Sequence, residues 1–217
     1  MQIQKLNAGA TSQSAGEVAI LEAAVKLFSD NGYGAVSMRS IALEAGVSKA
    51  NIYHHFASKE ALYRAIIDAS AAELSGLVND LAENSGPLGV RLFEFATAHR
   101  LHMEKNALTL RLVLRESFSG DEVRSKMLAE EVFGGIFDRM VSIFRTGQES
   151  GELRQDLDPA LCATLLMGAD VFFFQARDIL KHLPVAEFAE NPAQFSKEMV
   201  DVMLHGMLMP GARGGGL

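Results

Sequence analysis

Residues 37–59, SMRSIALEAGVSKANIYHHFASK, decide how this chain is read. Ser37 is a capping residue, and after it Ile41, Ala42 and Ala45 fall on one face of a short helix. Gly46 supplies a residue that turns the chain at positive φ. Val47 points back to a core, Ser48 caps a second short helix, and Ile52 and Phe56 recur at a spacing of four, which buries one side of it. Lys49, Ala50, Asn51, Tyr53 and His54 remain outward. A cation, an amide, a phenol and an imidazole beside small residues form a surface that can enter a major groove and reach base edges and phosphates. The pattern is a helix-turn-helix with Ser48 to His54 as the recognition helix.

The agreement extends well beyond the motif. AILEAAVKLFSDNGYGAVSM, IALEAGVSKANIYHHF and SKEALYRAII together make Glu17 to Ile66 resemble the DNA-binding domain of the tetracycline-repressor (TetR) family of bacterial regulators. The resemblance covers roughly the first third of the chain. Beyond it, only the all-helical character and the passage GELRQDLDPALCATLLMGA, similar to the family's dimerisation region, continue the likeness. The resemblance implies that Ser37 and Arg39 sit at the groove edge, that Lys49 and Asn51 on the helix capped by Ser48 face bases or phosphates, and that Tyr53, His54 and Lys59 grip the backbone. Lys59 also follows Ser58, a helix cap, so an ammonium and an amide-rich helix start converge where a phosphate would fit. His55 reads as a packing or solvent residue.

A net charge of −7 over 217 residues argues against a protein that coats nucleic acid without preference. Residues 17–64 are neutral and the chain from Ala65 onward carries −8, so repulsion keeps that half off DNA while cations hold the groove-facing edge. Cys162 is the single cysteine, which excludes an intrachain disulfide and points to a reducing compartment. Its neighbours Leu161, Ala163, Leu165 and Leu166 offer no cation to a thiolate, so it reads as a small hydrophobe. The start, MQIQKLNAGATSQSAG, has no signal-peptide pattern, and the apolar run from Ala160 to Phe174 is too short for a membrane span and contains Asp170. A cytoplasmic protein without a membrane partner is expected.

In chain order, Ile20, Ala24, Leu27 and Phe28 mark a helix from Glu17 to Asn31, and a long helix runs from Ser58 to about Glu83 without a breaker. Pro87 to Lys105 puts Leu88, Leu92, Phe95, Ala96, His99 and Met103 on one face, and Ala107 to Arg115, apolar nearly all round apart from Thr109, Arg111 and Arg115, reads as a buried helix with its cations snorkelling or paired. A helix from Glu122 to Glu149 holds Gly134-Gly135, which marks a kink or a close approach. Asp158-Pro159 opens a helix to Lys181, and Asn191-Pro192 opens a last one to Met209 with Phe195, Met199, Val202, Met203 and Met207 as its stripe. No segment alternates like a strand. The expected fold is all-α with about nine helices: an arm (1–16), a helix-turn-helix domain (17–64), a ligand-binding and dimerisation domain (65–209) and a tail (210–217).

Three readings compete for the second half. The first is a regulator, a repressor released from a two-fold DNA operator by a small apolar or aromatic effector, with the last two helices pairing two copies into a homodimer. One recognition helix reads too few base pairs, whereas a dimer reads two half-sites about 34 Å apart. Gly168, Ala169 and Ala176 allow close helix approach, and His99, His102, Met103, Arg111, Met127, Phe137, Asp170 and Phe174 are the candidate effector contacts. The second is a DNA-bound adaptor whose second half grips a protein. The third is a metal-dependent enzyme using His99 and His102 with Glu104 nearby, but no ligand cluster or nucleophile constellation accompanies that pair. The expectation is therefore no enzyme, no cofactor and no metal.

Overall fold

In the computed structural model, which describes residues 14–118 and 120–205, nine helices and a short 3-10 turn account for the regular structure of those residues. They are α1 (Ala15–Asn31), α2 (Met38–Glu44), α3 (Lys49–His55), α4 (Lys59–Glu83), α5 (Leu88–Lys105), α6 (Ala107–Ser117), α7, α8 (Pro159–Leu180) and α9 (Pro192–His205). Helix α7 has three parts, α-helical at Glu122–Met127, π-helical at Leu128–Phe133 and α-helical again at Gly134–Glu149. The 3-10 turn is Glu187–Glu190. Helix α1 begins before the expected Glu17, because Ser14 Oγ accepts the Glu17 N–H at 3.2 Å and caps it. The rest of the expected arm, Met207 and the tail lie outside the described residues.

The chain forms two compact units. One holds, of the described residues, 14–75 together with Lys105–Ile136, so α6 and the first parts of α7 share a unit with the reader. Ile20, Phe28, Ile41, Ile52, Leu62, Ile67 and Leu112 are its buried centre. On helix α6 only Leu112 and Glu116 are buried, less than expected of a buried helix, while Arg111 and Arg115 are exposed and Arg115 donates to the Asp30 carbonyl at 3.1 Å, paired as expected of the helix's cations. Tyr33 packs edge-on to Tyr63 at 5.2 Å and lies under the Arg124 guanidinium at 3.7 Å. Arg124 also meets the buried Glu116 at 3.2 Å.

The other unit holds, of the described residues, Gly76–Glu104 and 137–205. Its core joins Leu88, Leu92, Phe95 and Ala96 of α5 to Met140 and Phe144 of α7 and Ala163, Leu166 and Phe173 of α8. Phe173 stacks on Phe195 of α9 at 4.0 Å. Helix α9 turns Ser196 and Val200 inward, and Val202, expected on the inner stripe, is exposed. Helix α8 is 22 residues of apolar composition, long enough to cross a membrane, which corrects the shorter span inferred from the run at 160–174. Much of its apolar surface faces out, with Leu161 54%, Leu165 53%, Phe172 67% and Ile179 70% exposed.

Gly134 marks a close approach, one of the two readings expected of the Gly134-Gly135 pair, whereas Gly135 has open space at its Cβ position. A Cβ on Gly134 would stand 2.7 Å from the Ala129 carbonyl oxygen, so the π-helical backbone leaves room there for glycine alone.

The Tyr63 hydroxyl is fully buried without a hydrogen-bond partner, so Tyr63→Phe is expected to raise the unfolding free energy in urea by about 1 kcal/mol. Tyr33→Phe instead loses a 2.7 Å bond to Glu60 and is expected to lower it. Burial pushes both phenols up to about 12. A raised folded-state value means that their contribution is complete below the ordinary tyrosine range near pH 10 and is lost as pH rises toward about 12. Urea midpoints between pH 9 and 12 should therefore fall less steeply in the double phenylalanine variant than in the parent.

Candidate nucleic-acid interface

The reader is built by local chemistry. Ser37 and Ser40 form a reciprocal capping box at the start of α2, with Ser37 Oγ accepting the Ser40 N–H and Ser40 Oγ accepting the Ser37 N–H, both at 3.0 Å. The chain then turns through Gly46 at φ 67°, and the Val47 N–H returns to the Ala42 carbonyl at 2.9 Å. Ser48 Oγ accepts the Asn51 N–H at 3.1 Å and opens α3. Ile41 and Ala42 of α2, Ile52 of α3 and Phe56 just after it are buried, which fixes the remaining faces outward.

Ser37, Arg39, Ser48, Lys49, Asn51, Tyr53 and His54 are all exposed, and α3 carries the last five on its capped start and outer side. The other cations of this segment are tied down. Lys26 pairs with Glu44 at 2.6 Å, and that carboxylate raises its pKa. Arg64 pairs with Asp68 and Glu131. His55 is half-buried, its ring 5.2 Å from that of His54. A Cβ on Gly16 would sit 3.7 Å from both Asn51 Oδ1 and His55 Nε2, so the first turn of α1 reaches the recognition helix. Assigning 14–16 to an arm missed this, although Ser14 followed by Glu17 is itself a helix-start signal.

Lys59 departs from the expectation of a backbone grip. Its ammonium donates to the Tyr33 and Val36 carbonyls at 2.9 and 2.8 Å and lies 4.1 Å from the Tyr33 ring centre. Burial lowers its pKa. The side chain closes the loop between α1 and α2, a task the sequence hid because those carbonyls are more than twenty residues away.

The eight candidate effector residues are divided between the two units. Arg111 is exposed on α6 and Met127 packs on the core of the first unit, whereas the other six belong to the second unit. Among those six, His99 Nδ1 and Asp170 Oδ2 are 2.9 Å apart and fully inside. Met103 is buried, and His102, Phe137 and Phe174 are half-buried. The second unit also contains a cavity of about 40 Å³, lined by Leu92, Phe144, Leu153, Cys162, Leu166 and Met203 among others and by none of the eight. No periodicity announces such a void, because it is the space left where α5, α7, α8 and α9 fail to interlock. Burial, and then Asp158, push the Cys162 thiol up, which keeps it neutral as expected. Among the described residues no three His, Cys, Asp or Glu side chains are grouped to hold a metal.

Residues 20–66 match the family model of bacterial regulatory proteins of the tetR family. The chain is 28% identical over 153 residues to the HTH-type transcriptional regulator UidR of Escherichia coli K12, covering 68% of this chain and 74% of UidR. It is 27% identical over 156 residues to the HTH-type transcriptional repressor DhaR of Mycobacterium sp. GP1, covering 69% and 76%. The crystal structure of PfmR, a TetR-family regulator from Thermus thermophilus, superposes with a TM-score of 0.72 at 26% identity, over 92% of this chain and all of that one.

Lys59→Ala is expected to cost about 1–3 kcal/mol of unfolding free energy by stranding two carbonyls. It should leave the salt dependence of DNA binding by the folded protein unaltered. A slope of log affinity against log salt reduced by about one unit would put the ammonium on a phosphate instead.

Proposed function

The chain belongs to the TetR family of DNA-binding transcriptional regulators, and we propose that it is a homodimeric repressor that leaves its operator when a small apolar or aromatic effector enters the second unit. The observation that carries the DNA side is the exposed face of α2 and α3, where Arg39 and Lys49 stand outward while Lys26, Lys59 and Arg64 are engaged within the protein. On this reading Lys49 and Asn51 meet base edges, and Ser37, Arg39, Ser48, Tyr53 and His54 meet the sugar-phosphate edges of the groove. Residues 17–64 are the reader, and the cytoplasm, where operator DNA lies, is the place of action. The relative DhaR, a repressor by name, favours repression over activation.

The outer stripe of α8 supports the dimer. Leu161, Leu165, Phe172 and Ile179 lie along one side of the helix, Gly168 among them has open space at its Cβ position, and Val202 of α9 is exposed as well. A monomer exposing that stripe carries an apolar patch of the kind that marks an interface.

Release rests on volume. A 40 Å³ cavity holds only a few waters, so an organic effector enters by parting helices. The chain passes between the two units within α4, at the end of α5 and within α7, all helical, so displacement in the effector unit is transmitted along rods. A tilt of α4 changes the separation of the two recognition helices, and half-sites about 34 Å apart tolerate little change. The coupling expected is about 1–3 kcal/mol, felt equally by effector and DNA.

Binding to a duplex selected from a random pool tests the reader: Lys49→Ala and Asn51→Ala should each cost about 1–3 kcal/mol, and unchanged affinity would rule out α3 as the recognition helix. Sedimentation tests the stripe. Leu165→Glu combined with Phe172→Glu should give a folded monomer at micromolar concentration with much weaker operator binding, and a persisting dimer would rule out this interface.

A further inference from the structure

The inner stripe of α8 runs Ala163, Leu166, Asp170, Phe173, each at most 2% exposed. One position in an otherwise apolar row is a carboxylate. The facing stripe of α5 is broken in the same way, since His99 stands among Leu92, Phe95, Ala96 and Met103. The two interruptions meet: His99 Nδ1 and Asp170 Oδ2 are 2.9 Å apart, and the imidazole stacks on Phe95 with 12° between planes. Apolar residues of similar size would fill both sites at little loss of stability, because a buried polar pair seldom outweighs the desolvation of its members. The pair is also incomplete. Asp170 Oδ1 is buried with no hydrogen-bond partner among the described residues, which leaves a strong acceptor empty in an apolar interior.

The cavity lies along the same inner faces, although neither His99 nor Asp170 is in its lining. Leu92 and Leu166 line it, and they precede His99 and Asp170 on the same inner faces of α5 and α8, Leu166 by a single turn. Parting α5 from α8 to admit an effector, as the proposed function requires, therefore opens the cavity in the direction of Asp170. We infer that Asp170, held in place by His99, is the polar anchor of the effector site, and that the effector presents a hydrogen-bond donor, an amine or a hydroxyl, on an apolar or aromatic body. An anionic effector is rejected at this end by the carboxylate. Of the polar residues in the cavity lining, Gln148 donates to the Arg154 and Leu157 carbonyls and Arg154 pairs with Asp156, so neither supplies Oδ1 with a donor.

The inference deepens the effector reading and is tested with four probes of one shape: 2-phenylethylamine, 2-phenylethanol, propylbenzene and 3-phenylpropanoate, titrated calorimetrically into the full-length protein. Amine and alcohol should bind at least about tenfold more tightly than propylbenzene, and the propanoate should bind least. The second protein is the double variant His99→Leu with Asp170→Leu, which restores apolar stripes on both helices and is checked for folding by circular dichroism. It should bind propylbenzene and lose the preference for donors. Equal binding of amine, alcohol and propylbenzene to the parent, or a donor preference that survives in the double variant, would overturn the anchor while leaving an apolar effector in place. Failure of all four to bind the parent would overturn both.

Discussion

The ring of Tyr33 holds the reader in position. It follows α1, its hydroxyl donates to Glu60 at the start of α4, the Lys59 ammonium lies 4.1 Å from its centre, and the Arg124 guanidinium of α7 lies 3.7 Å from it. Each cation–aromatic contact is worth about 0.5–2 kcal/mol, which is modest singly. Their value lies in connectivity. The end of α1, the start of α4 and the first part of α7 are fixed to one planar group, and α2 and α3 are spanned between the first two of these. The orientation of the recognition helix thus depends on residues far from it in sequence, and it can be changed from α7 as well as from α4.

Legibility in the sequence followed the range of the interactions. The helix-turn-helix was readable because every determinant is local: Ser37, Ser48 and Ser58 as caps, Gly46 at its turn, Ile41 and Ile52 at their spacings. The helix count was readable for the same reason. The intrachain partners of Lys59 were not legible because they are set by tertiary closure. The exposure of Arg111 and the packing of Met127 on the first core were unreadable because periodicity tells that a face is inward, not which unit it turns toward. His99 and Asp170 were each identifiable as polar residues on apolar helices, yet nothing local says that two such residues 71 positions apart meet.

Helix α8 shows how composition can mislead. Its inner stripe serves the chain's own core and its outer stripe remains apolar, so it is hydrophobic all round, the pattern of a membrane span or of a helix enclosed by others. In the proposed dimer a second copy supplies the enclosure that lipid would otherwise provide. Asp170 fits that account and suits a lipid-embedded helix poorly, since its carboxylate meets a histidine of the same unit.

The π-helical stretch Leu128–Phe133 acts on α7 as a phase shift acts on a wave. A helix winding in π fashion takes more residues per turn than the 3.6 of an α-helix, so every side chain after it is rotated about the axis relative to an uninterrupted helix. Met140, Ile143 and Phe144, which follow it, are buried in their own unit, and the backbone at Gly134 has no room for a Cβ. The chain is thus one in which residue count, and not only residue type, carries information at this point. Elsewhere on α7 a substitution changes one contact; here the loss of a single residue would rephase an entire face, turning core into surface for the rest of the helix.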